Sequence, residues 1–327
     1  STGAQANNYN GIARISADGR YVAFFSLASN LVAGDTNNVA DVFVHDRQTG
    51  TTSRVSVSSA GAQGNGESRS PDISADGRFV TFLSGASNLV SGDTNGYFDV
   101  FIRDRQAATT RRVSLSSSGA QGNDSSNLPV AAVSADGRYV AFHSYATNLV
   151  PGDTNGAGDI FVRDRVNNQT TRVSINSTGG QGDGWSGYPA ISADGRYVSF
   201  SSEATNLVPG DTNNLIDIFV HDRQTGQTSR VSVSSAGGQQ DQDTDPWEAW
   251  SALSGDGRYV TFWSYATNLV SGDTGNWADV FIHDRQTGQT SRISVSIAGA
   301  QQDQDTGPGR ACSAHSGGGG YVGCRTD

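Results

Sequence analysis

Acidic and amide side chains recur at a fixed spacing in one kind of loop of this chain. In the first copy, Asp35, Asn37 and Asp41 form the pattern Asp-x-Asn-x-x-x-Asp. Oxygen ligands at alternating positions of a tight loop, closed by a later carboxylate, suit Ca²⁺, which prefers a shell of hard oxygen atoms. The pattern predicts structural calcium, because a catalytic site would not need several nearly identical copies. The other copies are Asp93, Asn95 and Asp99; Asp153, Asn155 and Asp159; Asp211, Asn213 and Asp217; and, without the regular Asn, Asp273 and Asp279.

Simpler interpretations of the acidic residues stay open. Asp and Asn side chains also form turns by hydrogen-bonding to the nearby backbone, and Asp41 would then cap the entrance to a strand. A second acidic pattern, Gln-Gln-Asp-Gln-Asp-Thr, occurs at 239–244 and again at 301–306. Its carboxylates could bind a cation, although solvated loop residues are the simpler interpretation. They are Asp241, Asp243, Asp303 and Asp305.

Aromatic side chains are a second group that could bind a ligand. The loops between the repeated units carry Tyr9, Trp185, Tyr188, Trp247 and Trp250. One further position differs in every copy, as Phe25, Leu83, His143, Ser201 and Trp263. Flat rings beside carboxylates and amides are typical of sites for sugars or peptides. The five loop aromatics and His143 are therefore predicted to bind a carbohydrate or protein ligand; the alternative is that each ring fills a gap between structural units.

An internal repeat positions these residues, and its clearest marker is the turn Ser-Ala-Asp-Gly-Arg. A run of alternating apolar residues such as 21–26 follows each turn, then a long loop and the runs 41–46 and 52–57. A short run precedes the next turn. Alternation rich in β-branched and aromatic residues predicts strands, so each unit holds four strands joined as an antiparallel meander. The turn aspartates, 58 to 62 residues apart, are Asp18, Asp76, Asp136, Asp194 and Asp256.

The repeat predicts an all-β fold, namely a β-propeller. A single four-stranded sheet cannot bury both of its faces, whereas sheets stacked around an axis can, and they also protect their edges. We expect one domain over 1–327 with five complete blades and an incomplete sixth; the alternative is a five-bladed ring with an extra hairpin. The units are expected at roughly 11–58, 69–118, 129–178, 187–236 and 249–298, with a partial unit at 308–327.

The repeat also resembles a known family. The run Ser-x-Asp-Gly-Arg-Tyr-Val-Ala-Phe, followed by Asp-Val-Phe-Val-x-Asp, resembles the repeat of TolB-type β-propellers over nearly the whole chain. The resemblance implies the fold and says little about function, because this fold serves many unrelated functions. Two features differ from the family. Ala17 and its equivalents stand where the family usually has Pro, and a calcium-loop-like Gly-Asp-Thr-Asn insertion lies between the second and third strands.

The two cysteines flank a glycine-rich form of the same turn. Cys312 and Cys324 stand six residues on either side of Gly318. In an antiparallel hairpin centred there they would face each other, with Cβ atoms ~4.5–5.5 Å apart, close enough for a disulfide. The spacing predicts a Cys312–Cys324 disulfide that staples the incomplete last blade; the alternative is two free buried thiols.

The composition limits the partners. The net charge is −10 and every basic residue is Arg, which argues against nucleic acid as a partner. No apolar run is long enough to span a membrane. The chain contains no nucleophile elbow, zinc-protease motif or phosphate loop. Since the first residue is Ser1, we expect a processed export signal and therefore a protein that is secreted or extracytoplasmic. We also expect a monomer.

Three functions are compatible with these features. The first is a secreted, non-enzymatic propeller that binds a carbohydrate or protein on its long-loop face, with structural calcium in the loops. The second is an extracellular hydrolase that depends on a metal or on paired Asp residues. The third is a scaffold domain of a larger protein. Repetition favours the first, because catalysis needs one asymmetric set of residues.

Overall fold

Twenty strands make up the regular secondary structure of the described chain. The computed structural model describes residues 5–126, 131–244, 250–275 and 277–297, together with 299 and 301. Within these ranges there is no helix, and the strands form five antiparallel four-stranded sheets, each a meander in chain order. The prediction of an all-β propeller with four-stranded blades is confirmed. The partial unit at 308–327, with Cys312 and Cys324, lies outside the described residues.

The five blades have nearly identical strand boundaries. The strands are β1 Asn10–Ile15, β2 Tyr21–Ser26, β3 Asp41–Asp46 and β4 Thr51–Arg54; β5 Ser68–Ile73, β6 Phe79–Ser84, β7 Asp99–Asp104 and β8 Thr109–Arg112; β9 Ala131–Val133, β10 Tyr139–Ser144, β11 Asp159–Asp164 and β12 Gln169–Arg172; β13 Ser186–Ile191, β14 Tyr197–Ser202, β15 Asp217–Asp222 and β16 Gln227–Arg230; and β17 Ser251–Leu253, β18 Tyr259–Ser264, β19 Asp279–Asp284 and β20 Gln289–Arg292.

The Asp-Gly turn between the first and second strands is fixed by its own side chains. Ser16 Oγ donates to Asp18 Oδ1 at 2.6 Å and accepts the backbone N–H of Tyr21 at 2.9 Å. Asp18 Oδ1 also accepts the backbone N–H of Arg20 at 3.0 Å. Ser and Asp favour such local bonds, and they hold the chain in a tight reversal. The same contacts recur in the other four blades.

An ion pair joins the two short turns of each blade. Arg20 Nε and Nη2 donate to Asp46 Oδ1 and Oδ2 at 3.0 and 2.7 Å. This bidentate geometry is the strong form of an Arg–carboxylate pair. The two turns therefore lie on one face of the propeller, and the long loops between the second and third strands lie on the opposite face, as the meander predicts. We call the second face the long-loop face.

Successive blades are joined by one contact that repeats around the ring. The backbone N–H of Ala17 donates to the carbonyl of Ala75 at 3.0 Å, and the same bond links the turns of blades two to five. The ring of Tyr21 lies against Gly77 of the next blade, where a Cβ would come within 2.1 Å of Tyr21 Cδ2. Arg105 of that blade covers Tyr21 from outside, 4.3 Å from the ring centroid. Only glycine allows this close approach.

The first strands of neighbouring blades contact one another, so β1, β5, β9, β13 and β17 line the axis. In blades one, two and four the register of this strand shifts at a β-bulge. Ser70 and Tyr188 occupy the bulge with φ of 54° and 51°, a left-handed conformation that is uncommon outside glycine. Bulges re-aim side chains and occur frequently beside functional sites.

One side of blade one and one side of blade five are exposed, although the equivalent sides of the other described blades are covered by a neighbouring blade. Ile15 of blade one is 38% exposed, whereas its equivalent Ile73 is 1% exposed. Tyr259 of blade five is also exposed, whereas Tyr21 and its other equivalents lie against the following blade. Within the described chain, these two surfaces thus lack the neighbouring blade that covers their equivalents. Among the described residues, no helix is long and apolar enough to cross a membrane.

Candidate ligand-binding face

The Asp-x-Asn-x-x-x-Asp loops form a hydrogen-bonded network around the last aspartate. Asp41 is fully buried, and its Oδ1 accepts from Ser56 Oγ at 2.6 Å. Its Oδ2 accepts from Asn37 Nδ2 at 3.1 Å and from Gln63 Nε2 at 3.2 Å. Arg54 Nη1 donates to the same oxygen at 3.1 Å. Asp41 thus ties its strand to the long loop, to the last strand and to the loop that leaves the blade.

An arginine lies between the two carboxylates of every one of these loops. Arg54 Nη1 is 3.3 Å from Asp35 Oδ1 and 3.1 Å from Asp41 Oδ2. The same two ion pairs occur in the other four blades. The equivalent arginines are Arg112, Arg172, Arg230 and Arg292. A guanidinium therefore offsets part of the negative charge that the sequence suggested for a metal ion.

The loops can be compared with the needs of calcium. Each offers two carboxylates, and the Asn side chain turns its Nδ2 rather than an oxygen toward the last aspartate in the first three loops. In the described parts of the chain, no cluster of three or more His, Cys, Asp or Glu side chains could hold a metal ion. Calcium would require the arginine to move away. Calcium in these loops stays a prediction.

In the first four loops, burial makes the first aspartate harder to ionise. Burial and the neighbouring Asp159 raise the pKa of Asp153 to about 6, against the opposing effect of Arg172. Burial likewise raises the pKa of Asp35, Asp93 and Asp211. A single guanidinium thus compensates two buried carboxylates incompletely.

The second acidic pattern has structural partners where the chain is described. Asp241 accepts the backbone N–H and the hydroxyl of Thr267 at 2.9 and 2.8 Å. Asp243 Oδ1 accepts the backbone N–H of Ile216 at 2.9 Å. These bonds join the loop to neighbouring segments. Asp303 and Asp305 lie outside the described residues.

Four of the predicted ligand-binding residues form one cluster at the axis. The ring centroids of Trp185 and Tyr188 are 5.9 Å apart, and those of Tyr188 and Trp250 are 5.5 Å apart. His143 extends the series, 6.2 Å from Trp185. Ile216 packs against the two tryptophans and Tyr188. We call Trp185, Tyr188, Trp250 and His143 the aromatic cluster.

The two remaining predicted aromatics are not part of that cluster. Tyr9 contacts Phe25 of its own blade, with ring centroids 6.1 Å apart, and is 61% exposed. Trp247 lies outside the described residues. The predicted set therefore separates into an axial cluster and one peripheral ring.

His143 is buried without a hydrogen-bond partner at either ring nitrogen. Burial lowers its pKa to about 3, so the ring is neutral at physiological pH. Its edge packs against Gly158, where a Cβ would come within 2.1 Å of Nε2, and against Tyr145, 4.7 Å away. An unsatisfied buried imidazole costs free energy, so a ligand group that reached either ring nitrogen would gain a hydrogen bond.

Arg14 beside the cluster, and Asp72, whose charge acts on Arg14, were not identified from the sequence. Arg14 on β1 is buried, and its guanidinium lies 5.9 Å from the ring centroid of Trp250. Within the described chain, the guanidinium makes one hydrogen bond, from Nη1 to the carbonyl of Ala13 at 3.3 Å. Burial lowers the pKa of Arg14, and the charge of Asp72 on β5 opposes this effect. Asp72 Oδ2 in turn accepts the backbone N–H of Val133 at 2.9 Å.

The repeat contains a signal that could have identified this pair. Arg14 pairs with Ala23 and Asp72 pairs with Thr81, so both occupy the same position in their blades. The other blades carry a small apolar residue there, namely Ala132, Ala190 and Ala252. Charges at two of five equivalent axial positions are the kind of asymmetry that a binding site needs.

Comparisons with known proteins show the fold. No protein-family profile matches the chain, and no curated protein matches it. TolB from Acinetobacter baumannii is similar in structure, with a TM-score of 0.50 and 18% identity over 86% of this chain and 53% of its own. A TolB structure from Agrobacterium tumefaciens gives a TM-score of 0.50 and 17% identity, over 88% of this chain and 82% of its own.

A third similar structure is an oligogalacturonate lyase in complex with manganese, with a TM-score of 0.51 and 12% identity over 88% of this chain and 65% of its own. The chain thus spans about half the length of the Acinetobacter protein. At these identities the likeness concerns the fold alone. The described chain has the fold of a TolB-type β-propeller.

Proposed function

We propose that the protein is a non-enzymatic, extracytoplasmic propeller that binds a carbohydrate at the axis, at the aromatic cluster. The observation that carries the proposal is the contact between this cluster and Arg14, with Asp72 close enough for its charge to act on Arg14. The residues come from blades one, two, three, four and five, so only the packed set of all five described blades brings them together. A ligand-binding site at the centre of a repeat scaffold fits this placement.

The chemistry of the site matches a neutral sugar. The partly exposed rings of Trp185 and Trp250 provide flat apolar surface for the C–H face of a pyranose, and the buried ring of Tyr188 supports them. Sugar hydroxyls both donate and accept hydrogen bonds, so they need acceptors such as Asp72 and donors such as Arg14. The two charges offset each other, which favours a neutral ligand over a strongly anionic one. Both groups are already desolvated, so the ligand would complete their hydrogen bonds at little further cost.

The test is a glycan array followed by titration of tryptophan fluorescence with the best-binding glycan. We expect Trp250→Ala to weaken binding at least about tenfold, equivalent to about 1.4 kcal/mol. Trp277→Ala is the matched control, because Trp277 is an exposed tryptophan on the long loop of blade five. We expect it to bind like wild type.

Three outcomes would overturn the proposal. Equal loss in the two variants would mean that the aromatic cluster is not the site. If the protein bound a protein partner and no glycan of the array, the long-loop face would be assigned to a protein ligand. Turnover of a generic ester, phosphate or glycoside substrate that Asp72→Asn abolishes would make the protein a hydrolase.

A further inference from the structure

A concave site lies away from the axis, in the groove between blades two and three. It is a cavity of about 440 Å³ between strand β8, the loop that follows it, and strand β11. Four arginines line it, although the chain as a whole carries a net charge of −10. They are Arg111, Arg112, Arg163 and Arg165. We call this cavity the arginine groove.

The other grooves between blades show that this accumulation is specific. The groove between blades one and two has Ser53 where this one has Arg111. The next two grooves have Thr171 and Ser229 at that position, and they have histidine in place of Arg163. These histidines are His221 and His283. The arginine groove is therefore the one described groove with arginine at all four positions.

Three of the four arginines have no carboxylate of their own. Arg112 is neutralised by Asp93 and Asp99, at 3.4 and 2.9 Å. No carboxylate of the described chain lies within 4 Å of a side-chain nitrogen of the other three, which are Arg111, Arg163 and Arg165. The aspartates that end strands β7 and β11, Asp104 and Asp164, are already held by Arg78 and Arg138.

Neutral groups fix two of these arginines in place. Arg163 Nη1 donates to the carbonyl of Ser116 and to Thr170 Oγ1, both at 3.0 Å, and Nη2 donates to Asn168 Oδ1 at 3.3 Å. Arg165 donates to the carbonyl of Gly137 and stacks on Phe79, 4.6 Å from the ring centroid. These contacts orient the guanidinium groups without neutralising them.

We propose that the arginine groove binds an oxyanion of the size and charge of phosphate or sulfate. Planar guanidinium groups recognise such ions with paired hydrogen bonds, and arginine is the residue most suited to this recognition. Burial lowers the pKa of Arg163 and of Arg165, and the charge of Arg111 adds to the effect on Arg165. A bound anion would relieve both effects. Arg111, which is exposed at the entrance, completes the set.

The oxyanion could be a free ion or an ester group on a larger molecule. The two sources share the same contacts, so the experiment includes both. Isothermal titration at low ionic strength, where charge interactions are screened least, would measure binding of inorganic phosphate, inorganic sulfate and a phosphate monoester such as glycerol phosphate. Stronger binding of the monoester than of inorganic phosphate would assign the groove to an ester group.

The repeat supplies variants that are compatible with the fold. Arg111→Ser introduces the serine that blades one, four and five carry at the equivalent position. Arg163→His introduces the histidine that the same three blades carry at the position of Arg163. We expect the double variant to weaken phosphate binding at least about tenfold. Arg103→His, which makes the same change in the groove between blades one and two, is the matched control and should leave phosphate binding unchanged.

Two results would overturn the proposal. One is the lack of saturable binding of phosphate, sulfate and the monoester by wild-type protein at low ionic strength. The other is equal binding by wild type, the double variant and the Arg103→His control. The site does not depend on the function proposed for the axis, so Trp250→Ala should bind phosphate like wild type.

Discussion

The arginine between the two carboxylates of each long loop gives the sharpest prediction. Arg172 lies 3.1 Å from both Asp153 and Asp159, and its side chain is only 10% exposed. Arg172→Met keeps the length of the aliphatic stem and removes the charge. Two buried carboxylates would then face each other without a cation. Removal of one partner from a buried ion pair costs about 3–5 kcal/mol, so we expect a loss of about 3 kcal/mol in the free energy of unfolding.

The measurement is denaturant unfolding at pH 7.5, with Arg138→Met as the matched control. Arg138 belongs to the same blade and pairs with Asp164 at 2.8 Å, but its side chain is 36% exposed. Exposed pairs contribute about 0–1 kcal/mol, so the control should lose much less stability. Equal losses in the two variants would refute the argument from burial.

The same experiment tests the predicted calcium. If calcium holds the loops, EDTA should lower the unfolding midpoint of the wild-type protein and calcium should restore it. If the arginine alone neutralises the carboxylates, EDTA should leave the wild-type midpoint unchanged.

Three further predictions concern other parts of the chain. Gly137→Ala should lower the stability of the folded protein more than Gly152→Ala does. Both glycines have φ of 72°, but a Cβ at 137 would come within 2.1 Å of the Phe79 ring, whereas one at 152 meets nothing within 4 Å. Equal unfolding midpoints of the two variants would refute this reasoning. Because the pKa of Asp153 is raised to about 6 in the folded protein, folding takes up a proton, and the free energy of unfolding should rise as pH falls from 7 toward 4. Measured against pH, this rise should be smaller in Asp153→Asn. Asp164 of the folded protein does not titrate in this range, because its pKa is lowered to about 2. Mass spectrometry after alkylation should find no free thiol at Cys312 or Cys324 before reduction and two afterwards; two alkylated thiols in the unreduced protein would exclude the predicted disulfide.

The sequence predicts the local structure of this protein well, for a physical reason. The turn Ser16–Arg20 is fixed by bonds between residues two to five positions apart, and the strands that flank it show the period of a half-buried sheet. Such features depend on neighbouring residues and repeat five times. The TolB-type repeat could therefore be identified before the structure was known.

The candidate site is harder to predict because its residues are distant in sequence. Arg14 meets Trp250 only when the first and fifth blades come together, and no local pattern encodes that contact. The arginines of the long loops were missed for a related reason. Arg54 lies 13 residues after Asp41, on a different strand, so the sequence shows two carboxylates without the cation between them. Tyr9 contacts Phe25 of its own blade, so a position in an inter-blade loop does not by itself place a ring in the aromatic cluster.

The contact between blades has a consequence for how the protein folds during synthesis. The ring of Tyr21 belongs to the earlier blade, and Gly77 and Arg105, which cover it, belong to the later one. In a chain that emerges N-terminus first, each blade thus has a ring that only the next blade in the sequence will cover. Contacts limited to nearest neighbours allow folding to advance unit by unit. Growth of the chain then sets the order of assembly, and each finished blade is the template on which its successor docks.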